Sequence, residues 1–299
     1  MIQTQGLTKK FDSITAVDGI NLTVKAGEIF GLVGPDGAGK TTLMRMILGI
    51  IGSTAGTIEV MGSDRIESVK NRIGYIPQKF SLYRDLTVME NIRMIGSLYG
   101  ADSEAIGVRA EVILSFTNLL PFVDRLAENL SGGMKQKLSL AAGLMHKPQL
   151  FFLDEPTTGV DPVSRREFWQ MLYRLNKEGM TVFVSTPYMD EAELCTRVAF
   201  MHEGRIVSCA APEELRARYP YKILELSIGE RSIKKHLQEC GLADINAFGE
   251  KYHLVVENPE QARKDVTACL NRAGFAEFTL EEVPPTLEDV FVALAREAA

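Results

Sequence analysis

The sequence predicts an α/β fold with a buried parallel sheet, and three observations carry this prediction. Residues 29–33 form a short apolar run of the kind a buried parallel strand shows, and they lead into a glycine-rich loop. Two similar runs follow at 150–153 and 181–185. Helical patterns lie between these runs, as in an open sheet built from strand–helix–strand units.

The glycine-rich loop at 34–42 reads GPDGAGKTT and fits the phosphate-binding pattern G-x-x-x-x-G-K-[ST]. Its glycines let successive backbone N–H groups converge on an anion, and the helix start adds partial positive charge. Lys40 can reach the outer phosphates of a nucleoside triphosphate, and the Thr41 hydroxyl can ligate Mg²⁺. The alternative is an ordinary glycine turn before a helix. The predicted nucleotide contacts are Gly34, Pro35, Asp36, Gly37, Ala38, Gly39, Lys40, Thr41 and Thr42.

Length and composition narrow the class of protein. A chain of 299 residues predicts about two domains, expected at 1–217 and 218–299. A hydrophobic content of 45% with 24% charged residues is typical of a soluble globular protein. No apolar run approaches the roughly 18 residues of a membrane helix, and the first residues do not resemble a signal segment.

Charge and cysteine content add two further expectations. A net charge of −6 with a pI near 5.4 argues against broad nucleic-acid binding, which depends on excess Lys and Arg. The four cysteines form no C-x-x-C pair and suit reduced thiols better than disulfides or a zinc site.

The opening of the chain is typical of antiparallel strands, since residues 20–24 alternate between apolar and polar side chains after a turn at 18–19. Phe11 lies in this region, where an aromatic ring can stack on a nucleotide base. Packing in the core is the alternative for Phe11. Residues 72–76 form another predicted strand, and Gln78 follows it. Gln78 can reach a magnesium ion or the attacking water, unless it is an ordinary surface residue.

Residues 87–147 are predicted to be helical, beginning with a capping box at Thr87 and Glu90. Within this region the segment 130–136 reads LSGGMKQ, and its serine and glycines precede a helix. The Ser131 hydroxyl, the glycine amides and the helix N-terminus make a second candidate anion site. A Ser-Gly-Gly sequence by itself indicates only a helix start.

Two acids follow the predicted strand at 150–153, at the edge of an α/β sheet where ligands bind. Asp154 fits the carboxylate that orients Mg²⁺ in P-loop NTPases. Glu155 fits a general base for attack on the γ-phosphate. Two solvated surface acids are the alternative.

Residues 221–298 then alternate between strand and helix patterns and predict a small split βαβ domain.

With these motifs in family order, residues 2–215 resemble the nucleotide-binding domain of ATP-binding-cassette (ABC) transporters. The resemblance implies an ABC ATPase core with an antiparallel β subdomain and a helical subdomain, which binds ATP and Mg²⁺. It implies that Phe11 stacks on adenine, that Glu155 and Gln78 are catalytic, and that Thr41, Gln78 and Asp154 ligate the metal. The further nucleotide contacts that it implies are the signature residues Ser131, Gly132, Gly133 and Gln136 and the D-loop acid Asp161.

The resemblance also implies partners and a location. In this family two such domains pair head to tail. Each ATP then lies between the phosphate-binding loop of one domain, here residues 34–42, and the signature segment of the other, here residues 130–136. The small domain and the ending at 285–291, PTLEDVF, resemble ATPases of bacterial ABC-2 drug-efflux exporters. The loop start GPD and residues 75–82 are similar to one half of exporter ATPases that carry two cassettes. We therefore expect transmembrane permease subunits as partners. We expect the chain to lie at the cytoplasmic face of the plasma membrane.

One position departs from the family pattern. The switch histidine that contacts the γ-phosphate is expected after Ser185 and Thr186, and this chain has Pro187 there. Proline has neither a side-chain donor nor an amide N–H. Two functions follow: a hydrolysing exporter ATPase, favoured by Glu155, or an ATP-dependent clamp with slow or no hydrolysis that completes a partner's site, favoured by Pro187. A soluble cassette acting on nucleic acid or ribosomes is disfavoured by the acidic charge and the single cassette.

Overall fold

The computed structural model describes residues 1–299 apart from 101, 230–232, 240–244, 249–250, 276 and 299. Within them the chain forms two compact units, Met1–Ala211 and Pro212–Ala299. No helix in this described part combines the length and apolar composition needed to cross a membrane. The domain boundary expected after residue 217 stays a prediction, and the second compact unit begins slightly earlier, at Pro212.

The first unit contains two sheets. Its strands are β1 Ile2–Phe11, β2 Ile14–Val24, β3 Ile29–Val33, β4 Ala55–Val60, β5 Ile73–Ile76, β6 Leu150–Asp154, β7 Thr181–Thr186, β8 Arg197–His202 and β9 Arg205–Ala210. One sheet is antiparallel, in the order β2-β1-β4. The other has the order β5-β6-β7-β3-β8-β9 and is parallel except for the β8–β9 pair. The predicted antiparallel opening and parallel core are confirmed.

The parallel sheet forms the core because its central strands are buried on both faces. Every residue of β3, β6 and β7 is buried, which explains why these strands are nearly continuous apolar runs in the sequence. The three strands are hydrogen-bonded in parallel register, so their carboxyl ends meet at one edge of the sheet. In an open α/β sheet this edge is where ligands bind.

The helices of the first unit include a group of three between β5 and β6. The helices are α1 Lys40–Ile47, α2 Val88–Leu98, α3 Ser103–Phe116, α4 Gly132–Gly143, α5 Pro162–Lys177 and α6 Met189–Ala192. The capping box predicted at the start of α2 is confirmed, since Thr87 and Glu90 exchange side-chain-to-backbone hydrogen bonds. Proline suits the first turn of a helix, so Pro187 predicts a helix that begins there and runs towards Cys195. The observed helix α6 is shorter and starts at Met189, and the N–H of Tyr188 donates to the Thr186 hydroxyl instead.

The second unit is a small α+β domain, and its assignment as a split βαβ domain stays a prediction. Its elements are α7 Pro212–Ala217, β10 Lys222–Ile228, α8 Lys234–Glu239, β11 Ile245–Phe248, β12 Lys251–Val256, α9 Pro259–Arg272, β13 Phe278–Val283 and α10 Leu287–Ala298. The sheet order β11-β12-β10-β13 is antiparallel throughout. The sequence did not predict β11, because this strand is short and lacks a clear alternating pattern. The helix predicted at 231–240 lies partly outside the described residues.

The cysteines only partly follow the expectation. Cys195 and Cys209 are free thiols. The prediction of reduced thiols is wrong for Cys269, which is disulfide-bonded. Spacing in the sequence could not show this, because cysteines far apart in the chain meet only through the fold.

Candidate functional site

The phosphate-binding loop connects β3 to α1, and its backbone needs glycine at defined positions. A Cβ on Gly34 would collide with the carbonyl oxygen of Met201, and a Cβ on Gly39 would collide with that of Ala16. Gly37 and Gly39 also have positive φ angles of 81° and 102°, which side chains with a Cβ rarely adopt. The loop is therefore built for close backbone approach.

Lys40 is the first residue of α1, and its charge is almost completely buried, with 4% of the side chain exposed. Its Nζ donates to the carbonyl oxygens of Gly34 at 2.8 Å and Pro35 at 3.0 Å. It also lies 3.3 Å from Oε1 of Glu155. A buried ammonium needs such partners, since an unpaired charge in the interior is strongly disfavoured. Lys40 is thus held inside the loop, next to the acid that follows β6.

Asp154, the last residue of β6, is fully buried. Its Oδ1 accepts hydrogen bonds from the hydroxyls of Thr41 at 3.0 Å and Ser185 at 2.7 Å. Its Oδ2 is buried and has no hydrogen-bond partner. A buried carboxylate oxygen without a partner is costly and unusual in proteins, so it marks a position where a ligand would supply the missing contact.

Glu155 adopts a left-handed backbone conformation, with φ at 49°. This costs energy for a residue with a Cβ and persists only where the surroundings enforce it. The N–H of Glu155 lies 3.1 Å from both the carbonyl oxygen and the hydroxyl of Ser185. Its Oε2 accepts from Nε2 of Gln78 at 2.8 Å, and the Thr158 hydroxyl is 3.5 Å away. The strain points to a functional role.

These residues fit a magnesium ion. The Thr41 hydroxyl contacts the Asp154 carboxylate, and Gln78 contacts the neighbouring Glu155. The side chains of Thr41, Asp154 and Gln78 all carry oxygen atoms, the ligands that Mg²⁺ prefers. Within the described residues no cluster of three or more His, Cys, Asp or Glu side chains could hold a metal by itself. Such a site suits a metal that shares its coordination with phosphates.

At the end of β7, the hydroxyl of the last residue, Thr186, already has hydrogen-bond partners within the protein. The buried Thr186 hydroxyl donates to Oε2 of Glu191 at 2.6 Å and accepts from the N–H of Tyr188 at 3.1 Å. The hydroxyl hydrogen of Thr186 is therefore already engaged in the hydrogen bond to Glu191. Pro187 follows directly and offers no donor. This arrangement speaks against Thr186 as a replacement for a phosphate-binding histidine.

The signature segment and Asp161 form a second group. Ser131 caps α4 by accepting from the N–H of Met134 at 3.3 Å, and Gly133 packs so tightly on Ser164 that a Cβ would collide. Asp161 caps α5 by accepting from the N–H of Ser164 at 2.9 Å, and this hydrogen bond lowers the pKa of Asp161. Among the described residues no hydrogen bond or ion pair joins this group to the phosphate-binding loop.

The remaining predicted residues are placed as follows. Gln136 lies in α4, with a buried Oε1 that has no hydrogen-bond partner. Phe11 ends β1 with 46% of its side chain exposed, so packing in the core is excluded for it. The carbonyl of Ala16 in β2 meets Gly39, which places the β1–β2 hairpin beside the phosphate-binding loop.

Sequence reasoning missed two residues of the site. Ser185 was assigned only to a strand, although a polar residue within the apolar run TVFVST is a signal that could have been used. Glu191 was not singled out. Its burial depends on how α6 packs, and an acid in the sequence YMDEAE resembles solvated surface.

Comparisons with known proteins show the family to which this chain belongs. The family model described as "ABC transporter" matches residues 17–158. The probable multidrug ABC transporter ATP-binding protein YbhF of Escherichia coli (strain K12) is 40% identical over 303 residues, covering 98% of this chain and 52% of YbhF. The chain thus spans about half the length of YbhF.

A second relative matches along nearly its whole length. The Nod factor export ATP-binding protein I of Rhizobium sp. (strain N33) is 36% identical over 298 residues, covering 98% of this chain and 96% of that protein. Among solved structures, the ATP-binding cassette MJ0796 bound to ADP and Pi has a TM-score of 0.65 at 26% identity, covering 71% of this chain and 98% of the other. This chain belongs to the ABC transporter family and is one of its ATP-binding proteins, with an ABC ATPase fold.

Proposed function

We propose that this chain is the ATP-binding and hydrolysing subunit of a membrane exporter, in which ATP-driven closure of a dimer of such domains is coupled to transport. The observation that carries the proposal is the network at the carboxyl ends of β3 and β6, in which Lys40 pairs with Glu155 and the Ser185 hydroxyl links the N–H of Glu155 to Asp154. The relatives named for multidrug transport and Nod factor export support the direction of transport.

In this proposal the phosphate-binding loop, residues 34–42, holds the phosphates of ATP with its backbone N–H groups and the Lys40 ammonium. The adenine stacks on the exposed ring of Phe11. Thr41, Gln78 and the unpartnered Oδ2 of Asp154 would hold Mg²⁺, which would supply positive charge against the charge that develops on the phosphates. The triphosphate offers Lys40 stronger acceptors than the loop carbonyls that it contacts in this structure.

Glu155 acts on the attacking water in this proposal. A carboxylate directly after the magnesium-binding acid can accept a proton from water aligned with the γ-phosphate. Gln78 contacts the Glu155 carboxylate, so a shift of Gln78 changes how that carboxylate is oriented. Because Lys40 also pairs with Glu155, phosphates that draw Lys40 away release the carboxylate for this role.

The partners follow from the same proposal. Ser131, Gly132, Gly133 and Gln136, together with Asp161, face the ATP bound by a second nucleotide-binding domain, identical or different. Transmembrane permease subunits carry the cargo, and the chain lies at the cytoplasmic face of the plasma membrane. Nucleic acid is not a partner, in keeping with the net charge of −6.

A second function is favoured by one specific observation. Pro187 offers no hydrogen-bond donor at the end of β7, and the hydroxyl of Thr186 already donates to the Glu191 carboxylate. A chain that lacks this phosphate contact would hydrolyse ATP slowly while still closing around it. It would then act as an ATP-dependent clamp and complete the site of a catalytic partner.

The proposal is tested by ATP-dependent dimerisation of the Glu155→Gln variant, which keeps the shape of the side chain but removes the carboxylate base. We expect gel filtration to show dimers with ATP and Mg²⁺ and monomers with ADP. The matched control is the double variant Lys40→Ala with Glu155→Gln, which should stay monomeric. Monomers in every condition would contradict a self-pairing dimer and would favour a different partner chain.

A further inference from the structure

Glu191 is a buried acid for which the proposed mechanism has no use. It lies in α6 with only 1% of its side chain exposed. Its Oε2 accepts from the Thr186 hydroxyl at 2.6 Å, and its Oε1 accepts from the Thr157 hydroxyl. The Nε of Arg165 lies 3.5 Å from the same Oε1. A carboxylate is costly to bury, so three polar partners around one side chain indicate a defined task.

The partners of Glu191 come from three segments around the reaction site. Thr157 lies two residues after Glu155, in the turn that follows β6. Thr186 ends β7, directly before Pro187. Arg165 lies in α5, the helix that Asp161 caps. Glu191 therefore joins the segment that carries the catalytic acid to two neighbouring elements.

The turn after β6 has to be held from both sides because Glu155 is strained. On one side Ser185 binds the N–H of Glu155 through its carbonyl and its hydroxyl. On the other side the turn contains two backbone hydrogen bonds, from Thr158 to Glu155 and from Val160 to Thr157. The side chain of Thr157, which is 1% exposed, is fixed by Glu191.

We propose that Glu191 is a positioning residue for hydrolysis, which holds Glu155 in its left-handed conformation through Thr157. This inference rests on the proposed ATPase function. Without the Glu191 contact, Thr157 loses its anchor and Glu155 relaxes towards a negative φ, which moves its carboxylate away from the attacking water. Glu191 touches no reacting atom, so its loss should lower the rate of hydrolysis without weakening ATP binding.

Glu28 provides a matched control. It is also a buried acid, with 7% of its residue surface exposed, and it is paired with an arginine, since its Oε1 lies 2.9 Å from Nη2 of Arg197. It precedes β3 at the amino end of that strand, whereas the phosphate-binding loop follows the carboxyl end. Replacing Glu28 by Gln disturbs a comparable buried ion pair away from the reaction site.

The experiment measures kcat and KM for ATP hydrolysis in the full chain, together with the melting temperature of each variant. Glu191→Gln places an amide N–H₂ against a donating hydroxyl, so we expect kcat to fall about tenfold and KM to change less than about threefold. Glu28→Gln should lower the melting temperature to a similar extent and keep the wild-type kcat. Thr157→Val should mimic Glu191→Gln, and Thr157→Ser, which retains the hydroxyl, should restore the rate.

Each outcome has one meaning. If Glu191→Gln keeps the wild-type kcat, or loses no more of it than Glu28→Gln does, then Glu191 only stabilises the fold and the inference is overturned. If Glu191→Gln and Thr157→Val reduce kcat independently, so that the double variant shows the product of their effects, the coupling through Thr157 is also wrong. If the wild type is no faster than Glu155→Gln, the proposed ATPase function itself fails, and the inference falls with it.

Discussion

Each of the two compact units contains a cluster of buried and half-buried charged side chains, and the two clusters differ in whether every polar atom has a partner. The cluster of the first unit comprises Lys40, Asp154 and Glu155. It contains a carboxylate oxygen without a partner and a strained backbone. The cluster of the second unit, called here the His253 cluster, comprises Glu225, His253 and Asp289. There the hydrogen-bonding groups are paired with one another.

The His253 cluster ties the last helix to the sheet of its own unit. Nδ1 of His253 in β12 lies 3.1 Å from both oxygens of Asp289 in α10, and Nε2 lies 3.6 Å from Oε2 of Glu225 in β10. Asp289 also accepts from the N–H and the hydroxyl of Thr286. Burial alone would lower the pKa of His253, but the hydrogen bonds and charges of Asp289 and Glu225 outweigh it and raise that pKa.

The comparison shows that buried charge by itself does not identify a functional site. His253 and Asp289 are buried and Glu225 is half-buried, yet the geometry of this cluster is that of a structural clamp. The cluster of the first unit differs because Oδ2 of Asp154 has no partner and Glu155 is held at a positive φ. These are the features of a site that is completed by a ligand. The following predictions test whether the cluster of the first unit acts in ATP binding and hydrolysis and whether the His253 cluster only stabilises the fold.

The largest effect is expected for Lys40→Ala. Removal of a buried charge that would contact phosphate costs about 2–5 kcal/mol, which corresponds to ATP binding weaker by roughly thirtyfold to several thousandfold. Titration with a fluorescent ATP analogue measures the affinity. The control is Lys251→Ala, which removes an exposed partner of Glu225 in the second unit and should leave the affinity unchanged. Wild-type affinity of Lys40→Ala would contradict the role of the phosphate-binding loop.

A smaller effect is expected for Pro187→His, which restores the donor that this chain lacks. One preorganised donor to a transferring phosphoryl group contributes on the order of 3 kcal/mol, so the rate should rise by up to about a hundredfold. ATP affinity should change less. Steady-state hydrolysis by the wild type and Pro187→His measures the effect. If the wild type is already fast and the histidine adds nothing, Pro187 does not weaken the site, and the clamp function loses its support.

The smallest effect is expected for His253→Gln, which should lower stability but not ATP hydrolysis. Because the pKa of His253 is raised in the folded protein, its contribution is complete below the unfolded value of about 6.5 and is lost as the pH rises through the folded value. The difference in melting temperature between wild type and variant should therefore be largest at low pH, at about 3 °C for each kcal/mol lost, and shrink at alkaline pH. A pH-independent difference, or a loss of ATPase activity, would contradict a purely structural clamp.

Much of the fold could be predicted from the sequence, for reasons visible in particular residues. Some features are each a short uninterrupted stretch, so local pattern is sufficient to predict them. They are the run at 29–33, the loop at 34–42 and the acids at 154–155. Pairing of Lys40 with Glu155, and of Gln78 with the same acid, depends on the strand order, which no local pattern encodes.

Other features could not be predicted because they depend on packing. Glu191 is buried only because α6 turns it towards Thr157 and Thr186. No local pattern marks His253, yet the fold brings it to Asp289 in the segment PTLEDVF. That segment was used for the family resemblance, and its aspartate has a structural role in the second unit. Both cases involve a single charged residue with at least one partner that is distant in the sequence, Thr157 for Glu191 and Asp289 for His253.

The most direct test of the proposed function is phosphate release from ATP by the purified wild type and the Glu155→Gln variant, measured side by side with Mg²⁺. The Glu155 carboxylate is the only difference between them, and both keep the residues that bind ATP. The proposal predicts that the wild type releases phosphate at a measurable rate and that Glu155→Gln is slower by roughly a hundredfold or more. Equal rates for the two proteins would contradict it, because Glu155 would then take no part in hydrolysis.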